Sequence, residues 1–248
     1  MDLKLKDKVA VVTGAGGQTG YGKGIALALA REGCHVVIVD VDMDGAQKTA
    51  AEVIALGVKA LPVKTDISKM DEVQAMADKA IAELGKIDIL VNNAAIGLPS
   101  KPFLELSQDE ISRVIGINLY GTMNTVRAIA PFMVKQHYGK IINFSGGQGL
   151  PGDASYGASK AAIISFTTTI AKEFADKGIV VNCFTPGPAE TGLSQGRIPH
   201  SIWENLGKRS PFGRLCSPDD VGSAIAFLVS DMNSYMIGQS VHLNGPAW

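Results

Sequence analysis

Seven short runs of β-branched and apolar residues alternate with six longer stretches that repeat apolar residues every three or four positions. No other feature restricts the fold as tightly. The short runs are Val9–Val12, His35–Val39, Ala60–Val63, Ile87–Val91, Lys140–Phe144, Ile179–Phe184 and Gln239–Leu243, all read as strands. Helical spacing falls on Gly24–Glu32, Ala46–Leu56, Val73–Leu84, Ile111–Gln136, Tyr156–Asp176 and Asp219–Ser230. Strands that are apolar throughout, with no polar alternation, are buried on both faces, as in a parallel sheet covered by helices. The pattern therefore predicts an α/β fold: a doubly wound, mostly parallel seven-stranded sheet with helices on both faces, forming one domain over residues 1–248. Composition permits it. Apolar residues make up 46% of the 248 and charged residues 19%, and a chain of this length can bury roughly three quarters of its unfolded surface. The stretch from Pro186 to Pro218, rich in Gly, Pro and Ser, follows neither period. A loop of that length is usually functional, and a substrate loop is expected around 188–214.

Charge narrows the partners. Lys and Arg number 23 against 24 Asp and Glu, a net charge of −1, and the cations form no cluster, so no nucleic-acid partner is expected. Near the N-terminus the longest apolar run, Ile25 to Ala30, ends at Arg31, too short to span a bilayer. Asp2 and the charges between Lys4 and Lys8 do not suit a signal peptide, and a cytoplasmic protein with no membrane partner is expected. Cys34, Cys183 and Cys216, and likewise His35, His137, His200 and His242, are scattered without metal-ligand spacing. No metal is expected.

Behind the first strand, glycines 14, 16, 17, 20, 22 and 24 crowd a turn that opens a helix. Glycines there let main-chain N–H groups approach a pyrophosphate, assisted by the helix dipole; Gly14, Gly20 and Gly22 are the expected contacts. Asp40 ends the second strand, where a carboxylate can accept from both ribose hydroxyls of an adenosine and repel a 2′-phosphate. This is the arrangement of a Rossmann dinucleotide site. Val41 and Asp42 follow without a cation, and Thr19 is neutral, so NAD is favoured over NADP. Asp66, with Ile67 beside it, lies on the same sheet edge near the expected adenine; capping the next helix is the alternative role for Asp66.

Tyr156 and Lys160 stand four apart in a helical stretch, on one face. A phenol has a reference pKa of about 10, and a neighbouring ammonium favours its phenolate, giving a general acid/base near neutral pH.

With these motifs in order, the chain resembles the single-domain short-chain dehydrogenase/reductases along nearly its whole length: VAVVTG, NNAA at 92–95, INLYG at 117–121, SYGASK, and VNCFTPGP at 181–188. The resemblance implies catalytic roles for Asn118, Tyr156 and Lys160, with Asn118 holding a water that continues a proton relay from Lys160. It also implies that Thr191 grips the nicotinamide carboxamide, that Pro186 and Gly187 shape that wall, that Asn92 fixes the central strand, and that Ala94 lies at the adenosine ribose. Dimers or tetramers are implied too. Two departures stand out. Five residues separate Gly14 from Gly20 where the family usually has three, so the turn bulges or Gly16 replaces the first glycine. In IINFSGGQG the family's serine doublet aligns on Ser145 and Gly146, with the usual catalytic serine falling on Gly146; Ser145 is then expected to polarise the substrate oxygen, with a strand-end cap as its other role. The implied activity is NAD-dependent interconversion of a secondary alcohol or hydroxyacyl group and its ketone, on a small-molecule substrate. A catalytically idle subunit of a hetero-oligomer and a redox-sensing regulator are the alternatives. Ile198, Ile202, Trp203 and Leu206 can line an apolar substrate pocket, and Arg197, Lys208, Arg209 and Arg214 can meet an anionic group.

Overall fold

Strand residues of one parity face one helical layer and those of the other parity face the second. Val9, Val11, Val37 and Val39 pack on one side, Ala10, Val12, Val36 and Ile38 on the other, all at most 1% exposed. The computed structural model describes residues 2–194 and 199–244. Its strands are β1 (Val9–Thr13), β2 (His35–Asp40), β3 (Ala60–Lys64), β4 (Ile89–Asn92), β5 (Gly139–Phe144), β6 (Ile179–Pro186) and β7 (Ser240–Leu243). All pair in parallel, in the order β3-β2-β1-β4-β5-β6-β7. This is the expected doubly wound sheet. Its helices are α1 (Tyr21–Arg31), α2 (Met43–Ala55), α3 (Met70–Leu84), α4 (Gln108–Ile115), α5 (Gly121–Gln136), α6 (Ala154–Phe174), α7 (His200–Arg209) and α8 (Pro218–Val229). Helices α1, α2 and α8 cover one face, and α3, α5 and α6 the other.

Two elements differ from the sequence expectation. The stretch 111–136 is not one regular helix: α4 and α5 are joined by a π-helical turn, Gly116–Tyr120, that carries Asn118. There Ile67 packs where a side chain on Gly121 would lie, and the Thr122 hydroxyl bonds the Asn118 carbonyl at 2.8 Å. Such single π turns commonly mark functional sites. The segment 186–218, which lacks a regular period, contains α7. Only Trp203 and Gly207 of that helix are buried, too few for a periodic stripe. Among the described residues no helix is long and apolar enough to cross a membrane.

Candidate active site

Strand order reverses between β1 and β4, so the crevice beyond their C-terminal ends is where an open parallel sheet binds ligands. Gly14 turns there with φ +67°, and a β-carbon on it would stand 2.8 Å from the Ala94 α-carbon. A β-carbon on Gly22 would run into the Gly14 carbonyl. Neither position can hold a side chain. α1 then starts after Gly20 with no capping side chain and no acid in its first turn. A turn with glycines at its tight points, running into an uncapped helix start, fits a dinucleotide pyrophosphate.

The longer turn is absorbed as a bulge, with Gly14 keeping the tight bend. Gln18 pins the bulge by donating to the carbonyls of Gly16 (2.8 Å) and Gly45 (3.1 Å), and Lys23 donates to Gln18 at 3.0 Å and Glu52 at 2.7 Å. Asp40 accepts from Gly16 N at 2.7 Å and Asp42 N at 3.0 Å. Its carboxylate therefore lies against the glycine turn, where an adenosine ribose would meet it. Asp66 accepts from the Ser68 main chain (3.0 Å) and hydroxyl (2.7 Å) in the turn before α3; the residue preceding that helix is Lys69. Ile67 is buried and its carbonyl accepts from Asn124 at 3.0 Å.

Asn92 sits in a buried chain of side chains. Thr125 donates to Asn92 (2.6 Å), Asn92 to Asn143 (2.9 Å) and Asn143 to Thr167 (3.0 Å). Neighbouring strands β4 and β5 thereby tie α5 to α6. The residue after it, Asn93, escaped the sequence reading. Its amide donates to the carbonyls of Thr13 (2.9 Å) and Gly14 (3.2 Å), while the Thr13 hydroxyl accepts from the main chains of Asn93 and Ala94, both at 3.1 Å. Asn93 thus locks the turn to β4. The doubled asparagine was its only signal. Tyr21, also missed, donates from its hydroxyl to the Gly187 carbonyl at 2.8 Å, joining the glycine turn to the wall after Pro186. Burial pushes its phenol pKa well up, so it stays a donor.

Tyr156 is the third residue of α6, and Lys160 lies one turn on with its ammonium 5.6 Å from the Tyr156 ring centroid. Lys160 is 2% exposed and donates to the Phe144 carbonyl at 2.9 Å. Burial pulls its pKa down to about 8. Asn118, fully buried, accepts from Ile96 N at 2.8 Å and donates to Ile96 O at 3.0 Å and to the Ser159 hydroxyl at 3.2 Å. It clamps the loop after β4 to α6 two residues beyond Tyr156's neighbour in sequence. Ser145 is placed differently from its expected role. Its hydroxyl, 3% exposed, donates to the Lys160 carbonyl at 3.1 Å, and the position facing the Tyr156 hydroxyl is Gly146. A contact with substrate oxygen would require breaking that bond. The structural cap is the role the geometry favours.

Thr191 is buried in a turn closed by Ser194, whose hydroxyl accepts from Thr191 N at 2.9 Å. Of the substrate-loop residues, Trp203 is buried, Ile202 is 47% exposed, and Lys208 and Arg209 are exposed. Arg214 pairs with Asp220, holding that carboxyl far below its usual range, and Asp220 in turn completes the capping box of α8. It is thereby tied to a structural role. Arg197 and Ile198 lie outside the described residues.

Fold and site together define a class: a doubly wound dinucleotide-binding protein with a tyrosine–lysine pair at its crevice. Residues 14–245 match the family model described as enoyl-(acyl carrier protein) reductase. The chain is 35% identical over 246 residues to the 3-oxoacyl-(acyl-carrier-protein) reductase FabG of Thermotoga maritima, covering 98% of each. It is 35% identical over 253 residues to the (S)-acetoin-forming diacetyl reductase of Staphylococcus epidermidis, covering 96% of this chain and 97% of that protein. A 7α-hydroxysteroid dehydrogenase solved with NADH and 7-oxo glycochenodeoxycholic acid superposes with a TM-score of 0.92 at 34% identity, covering 99% of this chain and 96% of that one. The chain belongs to the short-chain dehydrogenase/reductase family, whose fold implies a nicotinamide cofactor.

Proposed function

We propose that the protein is an NAD-dependent oxidoreductase interconverting a secondary alcohol or hydroxyacyl group and the corresponding ketone. The observation that carries this reading is the buried Lys160 ammonium one turn from Tyr156, held on the Phe144 carbonyl at the C-terminal end of β5. When bound, the cofactor supplies the hydride chemistry at the carbinol carbon. Tyr156 Oη holds the substrate oxygen, takes the hydroxyl proton in oxidation and returns a proton in reduction. Lys160 favours the phenolate through its charge, and Asn118 holds the loop after β4 in register with α6. The main-chain donors of the glycine turn and α1 bind the pyrophosphate, and Thr191 and the Pro186–Gly187 wall orient the nicotinamide end.

The names of the relatives, two ketone reductases and an alcohol dehydrogenase, support this chemistry; the name of the family model favours a second reading, reduction of a carbon–carbon double bond. Offered NADH with acetoacetyl and crotonyl thioesters, and NAD with secondary alcohols, the protein is expected to turn over the ketone and the alcohols. Turnover of the crotonyl thioester alone would decide for the second reading.

For cofactor choice, NAD is expected to bind much more tightly than NADP. Asp40→Ala should narrow the gap and also weaken NAD, because it releases Gly16 N along with the ribose contacts. Equal affinities of the wild type for both cofactors, by fluorescence titration, would count against the assignment. Ser145→Ala is expected to keep kcat within a few-fold of wild type while losing about 1 kcal/mol of stability with its hydrogen bond. A fall matching that of Tyr156→Phe would place Ser145 at the substrate after all.

A homodimer or homotetramer belongs to the same reading. Phe103, Leu104 and Tyr120, 61%, 95% and 58% exposed around α4 and the π turn, support it. Light scattering is expected to give a multiple of the 26.0 kDa chain at micromolar concentration. A cytoplasmic location completes the reading, supported by three unbridged thiols.

A further inference from the structure

The backbone does not demand glycine at 146. Gly14, Gly149 and Gly152 turn with φ between +67° and +83°, but Gly146 is outside that left-handed region, so other residues can adopt its conformation. A side chain there would meet the phenol instead. A β-carbon would stand 2.7 Å from Tyr156 Oη, 3.3 Å from its Cζ and 3.4 Å from Lys160 Cγ. The strand end cannot retreat, because Ser145 N donates to Phe184 O at 2.8 Å and the Ser145 hydroxyl to Lys160 O at 3.1 Å, both buried. The group that gives way is the far end of Tyr156, by about 0.7 Å if the contact is to relax to 3.4 Å.

We propose that Gly146 is a positioning residue for the acid/base. The missing side chain seats the Tyr156 hydroxyl, and Tyr156 serves the substrate oxygen without a serine from position 145 or 146. This rests on the reaction proposed above. A serine at 146 would therefore displace the phenol, not simply add a hydroxyl beside it.

Gly146→Ala and Gly146→Ser are expected to keep Tm and NAD affinity near wild type, since one side-chain end moves, while kcat falls at least ~10-fold; misplacing a reacting group by about 1 Å can cost ~100-fold. A readout independent of turnover is the ultraviolet titration of the cofactor-free protein, with Tyr156→Phe subtracted to isolate the Tyr156 phenol. Its midpoint is expected to differ between wild type and Gly146→Ala, because the distance from phenol to ammonium changes. If Gly146→Ala lowers Tm, adding Tyr156→Phe should recover it, placing the loss at that contact; no recovery would overturn the proposal. Wild-type or higher kcat in Gly146→Ser, or an unchanged titration midpoint in Gly146→Ala, would overturn it as well. A wild type that turns over neither alcohols nor ketones would sink the proposed reaction, and the titration would still judge the seat of Tyr156.

Discussion

Tyr156→Phe is expected to lower kcat by at least ~100-fold in both directions while leaving NAD affinity and Tm close to wild type, since the ring and its packing remain and only the proton-carrying oxygen is lost. Burial lowers the Lys160 pKa to about 8, so below that pH its buried ammonium is charged and favours the Tyr156 phenolate. The wild-type oxidation rate should therefore rise with pH through a midpoint well below the phenol reference of about 10, and Tyr156→Phe should lose that limb. A Phe variant that oxidises substrate at the wild-type rate would refute the mechanism.

Lys160→Met separates catalysis from stability. Turnover should fall nearly as far as in Tyr156→Phe, because no charge then favours the phenolate. Stability should move the other way. Lys160 is fully buried with its pKa lowered from 10.5 to about 8, so burying the ammonium costs on the order of 3 kcal/mol below that pH. Methionine fills a similar volume without that cost, although it leaves the Phe144 carbonyl short of a partner, a loss of about 1–3 kcal/mol. Between about pH 8 and 10.5 the unfolded wild-type chain holds more protons than the folded one, so wild-type stability rises with pH across that window. Any advantage of the methionine variant in thermal unfolding is thus largest below pH 8 and shrinks toward pH 10.5. A variant markedly less stable than wild type at pH 7 would contradict the assigned charge burial.

The order of short apolar strands and amphipathic helices was enough to determine the sheet, because a strand buried on both faces has little choice but a parallel neighbour and a covering helix. The glycine turn, Asp40 and the Tyr156–Lys160 spacing were legible for a similar reason. Each depends on contacts within one turn of chain, or on one strand end meeting the next. Residues whose roles depend on distant partners stayed hidden. Asn93 acts through Thr13 and Gly14, Tyr21 through Gly187, and Arg214 through the cap of α8. The π turn at Asn118 and the burial of Trp203 on α7 arise from packing against other elements, not from local preference. Ser145 and Gly146 mark the division most sharply. The sequence alone showed a hydroxyl beside a glycine, in a motif that called for a catalytic serine. Which of them faces Tyr156 depends on how β5, β6 and α6 pack, and that packing turned the Ser145 hydroxyl onto the Lys160 carbonyl and left Gly146 against the phenol.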